Sequence, residues 1–313
     1  MSATTLSTPR RRTLPGPRGL VWTVLRLHRT ALWVWLAFVL GTAGLLLWLY
    51  GPGATAAQQA FDTYGYYVPG GVDSPKQAYN DLFYRPATLI GVATFVVPLF
   101  AGGALIGREL ETGTAQLAWT QSVSPARWLA ARLAVPALLI VTGTGLLVAL
   151  YRLLWSAHNG LLVSGYAPRE LYFAIGPATV VHPLLGLALG ALIGLLVRRA
   201  LPATAIAAGT QYVLTALHSR LWPFQHHTPY SAPPELSVHS GAFTSGGALI
   251  PDPECYDSKR CLVEHHVVGF TRSYLPSPDY WPRQLLETGL LLAATAVVVA
   301  VAFRVLNRSV TTP

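Results

Sequence analysis

The chain has 313 residues, of which 52% are hydrophobic and 11% are charged. A soluble globular domain carries about 25% charged residues, so this composition disfavours an ordinary soluble enzyme, and its hydrophobicity excludes a disordered chain. The net charge of +9 does not by itself indicate nucleic acid, because membrane proteins gather basic residues on their cytoplasmic side, and we expect no nucleic acid partner.

The N-terminal region precedes any apolar stretch. Residues 1–17 contain mainly Ser, Thr, Pro and Arg, a composition that predicts a disordered tail. Leu20 to Thr30 has one apolar face with Trp22 at its edge, which predicts a short amphipathic elbow helix on the inner leaflet. A cytoplasmic extension of the first span is the alternative.

Six stretches are long and apolar enough to cross a bilayer, which takes roughly 20 residues. They are residues 31–50, 87–107, 133–154, 173–197, 201–217 and 285–305. The fifth is short and polar, so a re-entrant segment is the alternative there. The predicted fold class is therefore all-α, a polytopic membrane protein with one transmembrane domain over residues 18–305 and a short tail over 306–313.

The distribution of Lys and Arg predicts the orientation. Six spans place both termini on one side, together with the loop 108–132 and Arg198-Arg199, and this side carries 13 cations against two acids. By the positive-inside rule this side is cytoplasmic. The loops 51–86 and 222–282 are then extracellular, the second being the large loop between spans five and six.

Two cysteines lie in this large loop. Cys255 and Cys261 are separated by five residues, and in an oxidising compartment this pattern predicts a structural disulfide. Two free thiols, or a zinc site completed by His265-His266, are the alternatives.

Polar residues inside the spans are candidates for lining a pathway, because such groups usually face a bundle interior or a cavity. Thr210, Gln211 and Thr215 lie in span five, and Glu287 begins span six, where Arg283 is an alternative partner for it. His182 is expected to be a hydrogen-bonded residue beside a proline kink, in preference to a haem ligand paired with His218.

Glycines recur every fourth residue at Gly186, Gly190 and Gly194, and again at Gly103 and Gly107. This spacing predicts close helix packing in lipid; ordinary glycine-rich composition is the alternative.

The first cytoplasmic loop is the most informative segment. Gly113 should end the helix that leaves span two, and Thr114 should cap a short helix from Ala115 to Thr120. Ser124-Pro125 should then start the helix that enters span three. A short helix between two turns is a surface that a partner protein can bind; a mere connector is the alternative.

This loop resembles that of ATP-binding-cassette (ABC) transporter permeases of the type-2 exporter class, in particular short actinobacterial ones. The matching positions are Glu109, Glu111, Gly113, Thr114, Leu117, Thr120, Val123, Ser124, Arg127, Trp128 and Leu129. A second, weaker similarity runs from Tyr274 through Gln284 to Glu287.

The resemblance implies a permease that forms a dimer, expected to be a homodimer, in the bacterial inner membrane and exports a hydrophobic or amphipathic substrate. A separate ABC ATPase subunit would bind the ATP and Mg²⁺, and no cofactor or metal is expected in this chain. The helix after Gly113 would be the coupling helix, with Glu109, Glu111, Ser124, Arg127 and Trp128 around it. The two acids would bind basic groups of the ATPase or the elbow helix; local pairing with Arg108 or Arg127 is the alternative.

No catalytic motif accompanies these features. The sequence contains no P-loop, no G-x-S-x-G and no H-E-x-x-H, so we expect that the chain is not itself an enzyme. An ion-coupled secondary transporter and a membrane-embedded enzyme are the alternative functions, although neither an internal repeat nor a catalytic constellation is visible.

Overall fold

The computed structural model describes most of the chain. The described residues are 25–26, 29–64, 75–121, 123–161, 169–221, 226–230, 241–251, 253, 255, 258–274 and 277–311. The predicted tail 1–17 and most of the predicted elbow helix lie outside them.

Long helices dominate the described residues. In chain order the α-helices are α1 (Arg29–Trp48), α2 (Ala54–Tyr64), α3 (Pro75–Pro98), α4 (Leu105–Glu111), α5 (Thr114–Thr120), α6 (Pro125–His158), α7 (Arg169–Ala174), α8 (Ala178–Val197), α9 (Ala200–Leu221), α10 (Lys259–Glu264) and α11 (Ser277–Thr311). Two π-helical segments, Leu49–Gly53 and Leu99–Ala104, join α1 to α2 and α3 to α4.

Five helical stretches in the described part of the chain are long and apolar enough to span a membrane. They are Arg29–Thr63, Pro125–Leu161, Ala178–Val197, Ala200–His218 and Asp279–Ser309. The second predicted span, 87–107, falls on α3, the π-helical segment and α4 and is not among the five. This second span, and with it the total of six, therefore stays a prediction. The fifth predicted span lies in α9, a continuous helix of 22 residues, which at about 33 Å is long enough to cross.

The predicted boundaries differ from the structure at two places. Helix continues beyond residue 50 as far as Tyr64 and resumes at Pro75, so much of the predicted loop 51–86 is helical. Pro52 lies inside the first π-helical segment; a proline cannot donate the helical hydrogen bond, which favours a wider turn there. The helix of the fourth predicted span begins at Ala178 and not at residue 173, because a turn at Gly176-Pro177 separates α7 from α8.

A buried glutamine bridges this break. The Gln284 side chain is fully buried; its Nε2 donates to the Tyr172 carbonyl (3.1 Å), and its Oε1 accepts from the Ala178 amide (3.4 Å). These bonds satisfy polar groups that helix ends leave unpaired. Any side chain at Gly176 would collide with the Gln284 amide, so the glycine makes room for the bridge.

The glycine spacing does correspond to close helix packing. A Cβ added to Gly190 would lie 2.8 Å from the Gly103 nitrogen, and one on Gly194 would lie 3.2 Å from the Gly107 nitrogen. On the other side of the same segment, a Cβ on Gly107 would lie 3.0 Å from the Ala200 Cα. The segment from Gly102 to Gly107 is therefore held between α8 and α9 by backbone contact, as small residues permit in lipid.

The large loop contains a small antiparallel sheet, so the all-α prediction holds for the helical bundle but not for this segment. Its strands are β1 (His226–Tyr230), β2 (Gly241–Thr244), β3 (Leu249–Ile250) and β4 (Val267–Tyr274), in the order β1-β4-β2-β3. The sequence of β4, V-V-G-F-T-R-S-Y, is rich in the β-branched and aromatic residues that strands favour. Cys255 and Cys261 form a disulfide, in agreement with that prediction.

We predict that Gly190→Ala destabilises the protein, because the new methyl group meets backbone atoms that cannot rotate away. Overpacking of this kind costs about 1–3 kcal/mol, which should lower the melting temperature of the purified protein by several degrees. Gly209→Ala is the matched control, since nothing lies within 4 Å of its Cβ position and alanine favours a helix. Equal melting temperatures for the two variants would contradict the tight packing.

Candidate functional site: the loop between α4 and α6

A left-handed glycine separates α4 from α5. Gly113 has φ 72° and ψ 5°, a conformation that side-chain-bearing residues adopt at a cost. The Thr112 hydroxyl donates to the Arg108 carbonyl at 2.8 Å and closes the last turn of α4. The helix therefore ends where the sequence predicted.

Of the two predicted helix N-caps, Thr114 and Ser124, only the second is present in the structure. Thr114 is the first residue of α5 and does not cap it: its hydroxyl donates to the Glu109 carbonyl (3.2 Å), and the cap position belongs to Gly113. The Thr114 prediction is wrong because this hydroxyl reaches back to the preceding helix. The Ser124 prediction is confirmed, since its hydroxyl accepts from the Arg127 amide at 3.3 Å and Pro125 begins α6.

A buried ion pair joins α4 to α6. Glu109 Oε1 lies 2.6 Å from Arg132 Nη2, and the Trp128 indole N–H donates to Glu109 Oε2 at 2.9 Å. Trp128 and Arg132 are four residues apart on α6 and so share a face. The described partners of Glu109 are thus neither Arg108 nor Arg127, and this carboxylate is 8% exposed.

Burial has the largest effect on the pKa of Glu109. Burial raises the pKa of Glu109 above its ordinary value, while the Arg132 guanidinium and the Trp128 indole N–H act in the opposite direction. The cost of burying the carboxylate therefore exceeds what its two partners return, and losing either partner would leave a destabilising charge in the interior.

The second acid makes a different contact. Glu111 is exposed, and its Oε2 accepts from the Ala200 amide at 2.9 Å. This amide belongs to the first residue of α9, where a carboxylate also interacts favourably with the helix dipole. Glu111 therefore ties α4 to the start of α9 while one side of it faces solvent.

Helix α5 is anchored on one face and open on the other. Ala115 is fully buried, and the Trp119 ring packs edge-on against Trp128 with centroids 5.7 Å apart. Leu117 is 58% exposed, and Thr120 is exposed beside it. Helix α5 therefore presents Leu117 outward from an anchored base.

A cavity of about 260 Å³ lies next to α5. Its lining residues are Leu110, Gln116, Trp119, Leu195, Arg198, Leu306 and Ser309. These come from α4, α5, α8 and α11, with Arg198 following α8, so α5 sits where several long helices end.

The predicted pathway residues differ in exposure and in their contacts, and their role in a pathway stays a prediction. Gln211 is buried and its Oε1 has no hydrogen-bond partner within the described residues, whereas Thr215 is exposed. Thr210 donates to the Ile206 carbonyl of its own helix at 2.9 Å. Glu287 is 5% exposed and contacts His182 and His218, so Arg283 is not needed to explain its burial.

Sequence reasoning missed two residues that organise these regions. Arg132 was counted only for its charge, although its spacing from Trp128 places both on the face that meets Glu109. Gln284 appeared only as a position in a weak similarity, and nothing in its local sequence indicates that it bridges α7 and α8.

Comparison with known proteins agrees with this architecture. The model of a family described as "ABC-2 membrane transporter related" matches residues 31–222, which is more than half of the chain. Searches of curated proteins and of solved structures find no match.

We predict that Arg132→Met destabilises the protein strongly, because it leaves the Glu109 carboxylate buried without a counter-ion. Breaking one partner of a buried pair costs about 3–5 kcal/mol, measurable as a lower melting temperature and reduced abundance in the membrane. Arg127→Met, an exposed arginine on the same helix, is the control and should have little effect. The double variant Glu109→Gln/Arg132→Met should recover part of the loss, and a double variant no better than Arg132→Met would contradict the ion-pair explanation.

Proposed function

The chain belongs to the ABC-2 membrane transporter related family, and from this premise we propose that it is the membrane-spanning permease subunit of an ABC exporter. ATP hydrolysis by a separate subunit would drive a hydrophobic or amphipathic substrate out of the cell. The family assignment favours this function over an ion-coupled secondary transporter or a membrane-embedded enzyme.

The observation that carries the proposal is the geometry of α5. A coupling element must be rigid enough to transmit force and exposed enough to bind. The Gly113 turn, the Glu109–Arg132 pair and the Trp119–Trp128 contact fix α5 against α4 and α6, while Leu117 faces solvent. We propose that Leu117 and its neighbours enter a cleft of the ATPase.

The contact of Glu111 with Ala200 supports a route for transmission. A displacement of α5 acts on α4 directly, and Glu111 connects the end of α4 to the start of α9. Gly107 adds a backbone contact between the same two helices. Motion imposed at α5 would therefore reach α9, which carries the polar residues Thr210 and Gln211.

We propose a separate ATPase subunit as the motor, and the lack of a P-loop among these 313 residues supports this. ATP and Mg²⁺ would be bound by that subunit, and the permease itself would require no cofactor.

A homodimer is proposed as the functional unit. Helices α9 and α11 bury little of their surface within one chain, with exposed Tyr212, Val213, Leu286 and Leu290 among their outward residues. In a bilayer such surface meets either lipid or a second permease. We propose that one of these faces pairs two copies and that the remaining surface contacts lipid.

We predict that Leu117→Lys weakens binding of the ATPase without affecting insertion, because it places a charge on the apolar contact of α5. Tagged wild type and variant would be purified from the native host, and copurifying proteins with a P-loop ATPase sequence would be quantified together with substrate-stimulated ATP hydrolysis. Copurification should fall at least tenfold, an effect of about 1.4 kcal/mol.

Leu201→Lys is the matched control, since Leu201 is 85% exposed near the same ends of the helices but outside α5. Glu111→Lys should retain the ATPase yet lose stimulated hydrolysis, because it breaks the contact with α9. Unchanged copurification and coupling in Leu117→Lys would refute the role of α5.

We predict that Arg199 faces the cytoplasm and Lys259 the exterior of the bacterial inner membrane, with both termini cytoplasmic, as the positive-inside rule requires. In intact cells, a membrane-impermeant maleimide should label Lys259→Cys and leave Arg199→Cys unlabelled. The native cysteines do not interfere, because they are joined in a disulfide. Labelling of Arg199→Cys alone would mean that the chain is inverted.

A further inference from the structure

Three potential metal ligands from three different helices meet near the bundle end opposite α5. They are His182 of α8, His218 of α9 and Glu287 of α11, and their ligand atoms all lie within 4.8 Å of one another. We propose that these residues bind one divalent transition-metal ion, and that Zn²⁺ fits the set best. This inference does not rest on the proposed function.

The distances suit a shared ion. Glu287 Oε1 lies 3.1 Å from His182 Nε2 and 2.7 Å from His218 Nε2. Two ligands of a tetrahedral zinc ion, each about 2.0–2.1 Å from the metal, are about 3.3 Å apart. Increases of about 0.2 and 0.6 Å in these two distances would bring the carboxylate oxygen to the tetrahedral spacing from both imidazole nitrogens.

Hydrogen bonding alone leaves this cluster incomplete. The contact of His182 with Glu287 is aligned as a hydrogen bond, but His218 Nε2 has no aligned partner although Glu287 Oε1 is 2.7 Å away. Glu287 Oε2 is also buried and without a hydrogen-bond partner within the described residues. Buried polar atoms are rarely left in this state, and a bound cation would give both the His218 nitrogen and the second Glu287 oxygen a partner.

The donor set selects the class of ion. Two imidazoles and one carboxylate suit zinc and neighbouring transition metals, whereas Ca²⁺ and Mg²⁺ prefer shells of oxygen. The histidine side chains are 24% and 22% exposed, which gives an ion access and leaves a fourth position for water. Three protein ligands with one open position is a recurrent zinc geometry.

The surrounding contacts hold the ligands in place. The Phe173 ring lies 5.1 Å from the His218 ring, and the two histidine rings are 5.0 Å apart. Gln284, one turn before Glu287, fixes this part of α11 to the start of α8 through the Ala178 amide. Such supporting contacts orient ligands before the metal arrives.

Metal binding would clamp three helices together. His182 lies four residues into α8, a depth of about 6 Å, and His218 lies three residues before the end of α9, so the site is close to the ends of these two helices. Separation of α9 from α8 and α11 at this end would remove a ligand, and an ion bound to all three therefore stabilises the closed arrangement.

The test measures metal binding by the whole protein, purified with a tag that lacks histidine. After chelator treatment, the wild type should rebind about one Zn²⁺ per chain by equilibrium dialysis and elemental analysis, and its melting temperature should rise. With Co²⁺ it should show the visible absorption of a four-coordinate site. His218→Asn and Glu287→Gln should each reduce affinity at least a hundredfold, and His158→Asn, a histidine that bonds the Tyr50 carbonyl elsewhere, should not.

X-ray absorption of the wild type provides a measurement that does not depend on variants folding. It should show imidazole nitrogen and oxygen around the metal, with no sulfur. Absence of stoichiometric binding by the wild type, equal binding by His218→Asn in a folded state, or a shell without imidazole would each overturn the proposal.

Discussion

Backbone contact at glycine is the constraint on which the bundle depends. Within a bilayer, helices gain little from burying apolar side chains, because lipid is as apolar as leucine. Gly190 and Gly194 instead bring α8 against the segment from Gly102 to Gly107, whose other side meets α9. This segment leads directly into α4, so the position of α4, and with it α5, is set by how closely these backbones approach.

Two acidic residues at the end of that segment fix the orientation of α4 relative to its neighbours. Glu109 is held by Trp128 and Arg132 of α6, and Glu111 by the first amide of α9. Two carboxylates separated by one residue thus connect α4 to two different helices. Because the first is buried and the second exposed, the first contact lies in the interior of the fold, whereas the second is open to solvent.

Sequence alone predicted those features that depend on local composition or spacing. Most span positions, the Gly113 break, the Ser124 cap and the glycine stripe follow from rules that act over one or two helical turns. The partner of Glu109 could not be read in the same way, since Arg132 is 23 residues away and only the turn of the chain brings it near. The same holds for His182, His218 and Glu287: the two histidines were paired only as a disfavoured haem site, and Glu287 was considered apart from them, because no local pattern unites the three. The sheet was missed because β1 and β4 lie far apart in the sequence.

The wide turn at Leu99–Ala104 sets which way the side chains of the following helix, α4, face. A π-helical turn holds one more residue than an α-helical turn, so it rotates the later residues by about 100° relative to an uninterrupted α-helix. The turn includes Gly102 and Gly103, neighbours in sequence that approach different helices, α8 and α9 respectively. Deleting one residue there would leave hydropathy almost unchanged, yet it would turn Gly107 away from Ala200 and Glu109 away from Arg132. The length of this segment, as well as its composition, is therefore part of what the sequence encodes.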